Sequence, residues 1–270
     1  MRTSKIAVAA FGAFLVFAGC KADNSVVKVG LVGEELVPAW EAAREIAEKD
    51  GVKIEFVKFS DYAVPNRALA DGDISLNSFQ HDAFLQNELD NHGYKIEAVG
   101  NTVLFFMGVY SHKIKNLDDL QDGDSIVVMN DATNEGRALK VLESAGVFVL
   151  DPQKGTMPTP KDIISNPKNI NIIEVDASQV YLTLDDPEVA AAVANSTFVV
   201  DAGGVPARDA IYIKPIDSVE DKPYINIIVA RSADKNNSVI QKVIAAFQSD
   251  EVKKVIETEE PLSGIALPAW

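Results

Sequence analysis

The sequence predicts an α/β protein of two lobes with a ligand cleft between them, and three observations predict it. From residue 26 onward, strand-like segments alternate with helical ones across short Gly- and Asp-rich connections, the order of βαβ units around a mainly parallel sheet. The alternation restarts near residue 111, and the last strand and helix need a sheet to return to. A chain of 270 residues, 47 % of them apolar, is long enough to bury two cores.

The elements follow in order. Val26–Val32 (VVKVGLV) is apolar and β-branched and stops at Gly33. Pro38–Asp50 reads as a helix, with Trp40, Ala43, Ile46 and Ala47 three and four apart and Gly51 as its stop. Lys53–Phe59 alternates like a half-buried strand, and Ala63–Ala70 is a short helix closed by Asp71-Gly72-Asp73. Ile74–Phe79 is a strand, His81–Asn91 a helix, and Ala98–Tyr110 a long strand that crosses to something new.

Past the restart, Leu117–Leu120 is a helical turn, Ser125–Met129 a buried strand and Asp131–Ala145 a helix ending at Gly146. Proline-rich sequence at 152–167 gives loops around a short helix. Ile170–Val175, a short strand within Val189–Phe198, and Ala210–Ile213 come next. Tyr224–Ala230 (YINIIVA) has the composition of a central strand, and one long amphipathic helix carrying Val239, Val243, Ile244, Phe247, Val252, Val255 and Ile256 closes the chain. The final strand and helix are expected to rejoin the first sheet. That gives one lobe of 26–110 plus 225–270, an inserted lobe of 111–224, and a ligand cleft at the carboxyl ends of the strands.

The first nineteen residues read as an export signal. Arg2 and Lys5 precede an apolar stretch, Ile6–Ala18, too short to span a membrane comfortably. It ends in Phe17-Ala18-Gly19-Cys20, small residues before the chain's single cysteine, with Phe17 where Leu is usual. This is the lipobox pattern of bacterial lipoproteins, so Cys20 is the expected lipidation site and residues 20–25 a polar tether. An ordinary secretory signal or a buried first helix is the alternative. The lipobox reading places the chain in the cell envelope, anchored to a bacterial membrane and facing the periplasm or the exterior.

Composition excludes other classes. A net charge of −15 with no basic run after residue 20 argues against nucleic acid. One cysteine excludes a disulfide framework, and no other apolar run reaches 18 residues. There is no phosphate loop, nucleophile elbow, GxGxxG or His-Glu-x-x-His. The three histidines, His81, His92 and His112, pair with no second His or Cys at ligand spacing; an all-oxygen metal site has 40 acids to draw on, but they are scattered as on solvated surfaces, so no metal and no cofactor is expected.

Three local clusters suit a small zwitterion instead. Asn130-Asp131-Ala132-Thr133-Asn134-Glu135-Gly136-Arg137 runs from a strand end into a helix start, where free amide donors and a forked guanidinium suit a carboxylate. Simple capping with a surface arginine is the plainer reading. Ser78-Phe79-Gln80-His81 follows a strand and offers an aromatic wall with polar edges; Phe79 in the core and His81 at a helix start is the plainer reading. Asn195 and Asn226 lie in apolar strand-like sequence, so each ties to backbone or faces a polar ligand.

Taken in order, several motifs resemble the NlpA / methionine-binding lipoprotein family of ABC-importer substrate-binding proteins. They are Phe59-Ser60-Asp61-Tyr62, Pro65-Asn66 with Ala68-Leu69, Gly72-Asp73-Ile74, and Asn77-Ser78-Phe79-Gln80-His81. Val99-Gly100-Asn101-Thr102, Tyr110-Ser111, Asn130-Asp131 with Thr133-Asn134, and Gly136-Arg137-Ala138-Leu139 continue the likeness. Asn195-Ser196-Thr197, Pro223-Tyr224-Ile225-Asn226 and Phe247-Gln248-Ser249-Asp250-Glu251-Val252 extend it. The resemblance covers the chain from about residue 28 to at least residue 252.

It implies a two-lobed periplasmic-binding-protein fold, type II-like, with no enzymatic activity. It also implies a monomer that binds methionine, a related amino acid or a methionyl dipeptide, and hands it to an inner-membrane ABC permease with its ATPase. By similarity, Arg137 grips the ligand carboxylate, and Asn195 and Asn226 bond its carboxylate and ammonium. Tyr62, Phe79 and His81 line the side-chain slot, and Asn134 orients the ligand or Arg137. Two departures stand out: no proline occurs in Val103–Gly108 before Tyr110-Ser111, and Gln179-Val180-Tyr181-Leu182 lacks a Pro-Arg pair. The competing classes are a cleft enzyme of lyase type, with His81, Asp131 or Glu135 as its acid or base, and a surface lipoprotein that binds a partner protein.

Overall fold

The computed structural model describes residues 26–217 and 219–270. The export signal, Cys20 and the tether lie outside the described residues. The chain runs β1 (Val26–Val32), α1 (Val37–Lys49), β2 (Lys53–Phe59), α2 (Pro65–Asp71), β3 (Leu76–Asn77), α3 (Asp82–His92), β4 (Ile96–Phe105) and β5 (Gly108–Tyr110). It continues through β6 (Ser125–Met129), α4 (Ala132–Ser144), β7 (Val149–Leu150), β8 (Ile163–Ser165), β9 (Asn171–Val175), α5 (Ala177–Val180) and β10 (Val189–Ala194). α6 (Ser196–Asp201), α7 (Pro206–Asp209), β11 (Ala210–Ile213), β12 (Ile225–Arg231), α8 (Ser238–Phe247), α9 (Asp250–Thr258) and β13 (Ala266–Pro268) complete it.

Two sheets form. The first has the order β13-β4-β12-β3-β1-β2 and the second β11-β5-β10-β6-β9, with β7 and β8 as a separate pair. Each sheet has a parallel half, β3-β1-β2 in the first and β10-β6-β9 in the second. β12 is antiparallel to both its neighbours, as is β5, so both sheets are mixed where the sequence predicts mainly parallel pairing. Strands flanking the two passages between lobes run against the βαβ units, because a chain that leaves one sheet and later returns enters it without a crossover helix.

The first passage falls at Phe106 and Met107. The segment read as one strand to Tyr110 is two, and β5 pairs with β10 and β11 in the second sheet, not with the first lobe. β12 carries the chain back between β3 and β4.

Each sheet is covered by helices that bury one face. Trp40 on α1 is fully buried against Phe247 on α8, ring centroids 4.6 Å apart. Leu139 and Leu142 on α4 join Ile126, Met129 and Phe148 in the second core. The closing helix is two helices: the chain breaks at Gln248, and the Ser249 hydroxyl accepts from the Val252 amide at 3.3 Å to start α9. β3 is shorter than the expected Ile74–Phe79. Asn77 turns its side chain into a buried amide cluster, and residues 78–81 leave the ladder toward the cleft.

Candidate functional site

Both lobes contribute to one cavity, and all seven residues singled out from sequence line it. Tyr62, Phe79, His81 and Asn226 come from the first lobe; Asn134, Arg137 and Asn195 come from the second.

Local sequence explains the placements. Three buried amides lock the β3–α3 turn: Asn66 Oδ1 accepts from Asn77 Nδ2 at 2.9 Å and from Gln80 Nε2 at 2.6 Å, while Asn66 Nδ2 donates to Gln80 Oε1 at 2.8 Å. His81 follows as the N-cap of α3, its Nδ1 accepting from the Phe84 amide at 3.0 Å. Since Nδ1 accepts, Nε2 carries the proton, and it donates to Asn134 Oδ1 at 3.4 Å across the cleft. Burial, and then the neighbouring Arg137 cation, push the His81 pKa down to about 3, so the ring is neutral.

On the other side, Asp131 caps α4. Its carboxylate accepts from the Asn134 amide at 3.0 Å, from the Asn134 side chain at 3.0 and 3.1 Å, and from Thr133 Oγ1 at 3.0 Å. Asn134 is thereby fixed with its oxygen forward. That oxygen also accepts from Asn195 Nδ2 at 3.1 Å. The donor side of Asn195 is thus used, and its buried Oδ1 has no partner among the described residues. An amide oxygen buried without a partner carries an unmet hydrogen-bonding demand beside the cavity that Asn195 lines.

Arg137 lies one turn along α4, 7 % exposed. Its Nη2 donates to the Phe105 carbonyl at 2.6 Å, and its guanidinium sits 4.6 Å over the Tyr224 ring. Among the described residues no carboxylate lies within 4.0 Å of it. Burial holds its pKa below the usual arginine value, yet a guanidinium stays charged. A buried cation of this kind is costly until an anion meets it.

Tyr62, Phe79 and Phe84 form an aromatic wall, with Tyr62–Phe79 centroids 5.7 Å and Phe79–Phe84 centroids 6.0 Å apart. Burial raises the Tyr62 pKa, so its phenol stays neutral. Among the described residues the cavity wall therefore carries one cation, two amides with unused hydrogen-bonding capacity, Asn195 and Asn226, and an aromatic slot.

Sequence reasoning missed Glu35, Phe84, Phe105, Phe106, Ser196 and Thr197 on the wall. Glu35 follows Gly33 at the carboxyl end of β1, and Ser196 follows β10, so the strand-end rule was the available signal. Of the two departures, the one at 103–108 places Phe105 and Phe106 on the cavity, whereas residues 179–182 lie off it. Asp131 and Glu135, weighed above as catalytic acids, are off the wall too, and Asp131 is occupied as a cap. No group of three or more His, Cys, Asp or Glu among the described residues is arranged for a metal ion.

Two lobes closing on a cavity that presents an unpaired cation and a free acceptor define a small-molecule substrate-binding protein of the two-lobed type. The chain belongs to the NlpA lipoprotein family, whose model matches residues 27–270. It is 40 % identical over 268 residues to the D-methionine-binding lipoprotein MetQ of Escherichia coli K12, covering 98 % of this chain and 97 % of that protein. A crystal structure of the methionine-binding protein MetQ superposes with a TM-score of 0.85 at 41 % identity, over 91 % of this chain and 98 % of the other. A nutrient-binding protein from Burkholderia cenocepacia bound to methionine gives a TM-score of 0.84 at 38 % identity, over 90 % and 100 %.

Proposed function

We propose that the chain binds methionine in the interlobe cavity and delivers it to the permease of an ABC importer. The observation that carries the reading is the buried Arg137 on the cavity wall, with no carboxylate within 4.0 Å among the described residues, beside Asn195, whose Oδ1 is unpartnered. An α-amino acid answers both, with its carboxylate on the guanidinium fork and its ammonium on the amide oxygen. Asn226 adds a second amide at the same wall and makes no side-chain hydrogen bond among the described residues. A thioether beside Tyr62, Phe79 and His81 meets the edges and faces that favour polarisable sulfur. Names of relatives point the same way.

Asn134 serves as the hub that aims His81 and Asn195. The mature protein, starting at Cys20, is held at the membrane through acyl chains on that residue and acts as a monomer. Calorimetric titration of the mature chain with L-methionine, D-methionine and methionyl dipeptides tests the reading. Binding of at least one with micromolar or tighter affinity is expected; no heat and no thermal shift with any of them refutes it.

A further inference from the structure

Glu35 is the one acid on the cavity wall among the described residues, and none of the ligand roles above uses it. It sits in the loop after β1, in the first lobe, 5 % exposed. Its Oε2 accepts from Ser196 Oγ at 2.7 Å, and its Oε1 accepts from Thr197 Oγ1. Both hydroxyls lie in the first turn of α6, in the second lobe.

The same loop grips the far end of α6. The Glu34 amide donates to Asp201 Oδ1 at 3.1 Å, and Lys58 Nζ holds the loop from behind through the Gly33 carbonyl at 3.2 Å and the Glu34 carboxylate at 3.0 Å. The two surfaces meet so closely that a Cβ at Gly33, φ +68°, would stand 2.5 Å from Thr197 Cγ2 and 2.9 Å from Asp201 Oδ2. Elsewhere across the cleft, His81 reaches Asn134 at 3.4 Å, Arg137 reaches the Phe105 carbonyl at 2.6 Å, and Tyr62 packs on Phe198 with centroids 5.1 Å apart.

Resting on the methionine-binding reading, we propose that Glu35 is the latch of the closed cleft, fastening the β1–α1 loop to α6 and setting how long the closed form holds its ligand. Opening breaks both bonds between Glu35 and the hydroxyls at once and returns the carboxyl group to water; closing removes that water and supplies the two hydroxyls in its place. Glu35 is a positioning residue: both its oxygens are used by α6.

The latch carries a pH dependence of known sign. Asp201 on α6, Tyr62 on the β2–α2 loop, Tyr110 on β5, and Glu34 and Lys58 beside it are the titratable groups nearby, and no cation among the described residues forms an ion pair with Glu35. Burial pushes its pKa up to about 7 in the closed form, against the ordinary carboxylate range when solvated. Closing therefore takes up a proton between those values, and the closed form weakens as pH rises toward 7.

The test is stopped-flow release of L- and D-methionine from the mature wild type, Glu35→Ala, the Ser196→Ala/Thr197→Val double variant and the triple variant. Release is expected to speed up about tenfold in the single and the double variant, with association changed less than twofold, and the triple variant no faster than the double. Wild-type release should quicken several-fold from pH 5.5 to 8, and Glu35→Gln should flatten that profile. Unchanged release, or effects that multiply in the triple variant, overturns the latch. Should Glu35→Ala not fold, the Ser196→Ala/Thr197→Val double variant, which removes both hydroxyls and leaves Glu35 in place, carries the same expectation. If neither enantiomer nor any methionyl dipeptide binds, the methionine reading fails by itself. The latch is then read from X-ray scattering of the ligand-free proteins, where Glu35→Ala must show a larger radius of gyration; superimposable curves refute it.

Discussion

Replacing Arg137 by alanine removes the cavity's only cation among the described residues and separates its two contributions, one to the ligand and one to the fold. Toward the ligand, a forked, charge-assisted pair with a carboxylate is lost inside a water-excluded cleft. Truncating one partner of such a pair costs about 2–5 kcal/mol, so affinity should fall by roughly 30-fold to several thousand-fold. Toward the fold, the terms oppose one another. The bond to the Phe105 carbonyl and the stacking on Tyr224 are worth about 1 kcal/mol each, whereas releasing an unpaired buried cation recovers several kcal/mol of desolvation. The ligand-free melting temperature should therefore stay within about 4 °C of wild type or rise. Calorimetry and a thermal melt on the mature chain read the two terms separately. Affinity within fivefold of wild type would refute the carboxylate role. A ligand-free melt lowered by more than about 8 °C would refute the claim that the guanidinium is poorly compensated until ligand arrives.

Three further outcomes follow from the same geometry. Asn195→Leu, which removes the free acceptor, should weaken amino-acid binding by about 10- to 100-fold, and an unchanged Kd would assign the ammonium to another partner. His81, held down to about 3, should remain neutral with its proton on Nε2 throughout pH 5–8 in nitrogen-15 spectra; a midpoint above 6 contradicts the buried, accepting Nδ1. Because that pKa is depressed, unfolding takes up a proton below the unfolded value. Wild type should then lose roughly 2–3 kcal/mol of stability between pH 7 and pH 4.5 through this residue, a loss absent from His81→Gln in urea melts. Cys20→Ser should move the exported protein from the detergent phase to the aqueous phase and remove the mass of the acyl chains; continued partition into detergent would place the anchor elsewhere.

Much of the fold was legible because local signals and tertiary context agree. β1, β2, β6 and α4 fall within a residue or two of their sequence-read bounds, since β-branched runs and capping residues such as Asp131 act over a few positions. The misses share a physical cause. An apolar run such as 98–110 looks the same whether one sheet or two sheets bury it, so the break at Phe106 is invisible until partners are assigned. The α8–α9 break was also missed, because the apolar stripe continues through Gln248 and hides the cap at Ser249.

The sequence by itself determined the two-part α/β order, because hydrophobic period is a property of the chain, and its family resemblance pointed to seven residues that line the cavity. Tertiary structure alone decided which of those residues keep a free valence. Among the described residues no carboxylate from either lobe reaches Arg137, and Asn195 gives its amide nitrogen to Asn134, held by Asp131, while its oxygen finds no partner. It also decided that Glu35, an unremarked acid in the sequence, meets Ser196 and Thr197 from 161 and 162 residues away. Hydrogen bonds act over a few ångströms and burial is a property of the assembled surface, so partners this distant in sequence are chosen only when the two lobes close.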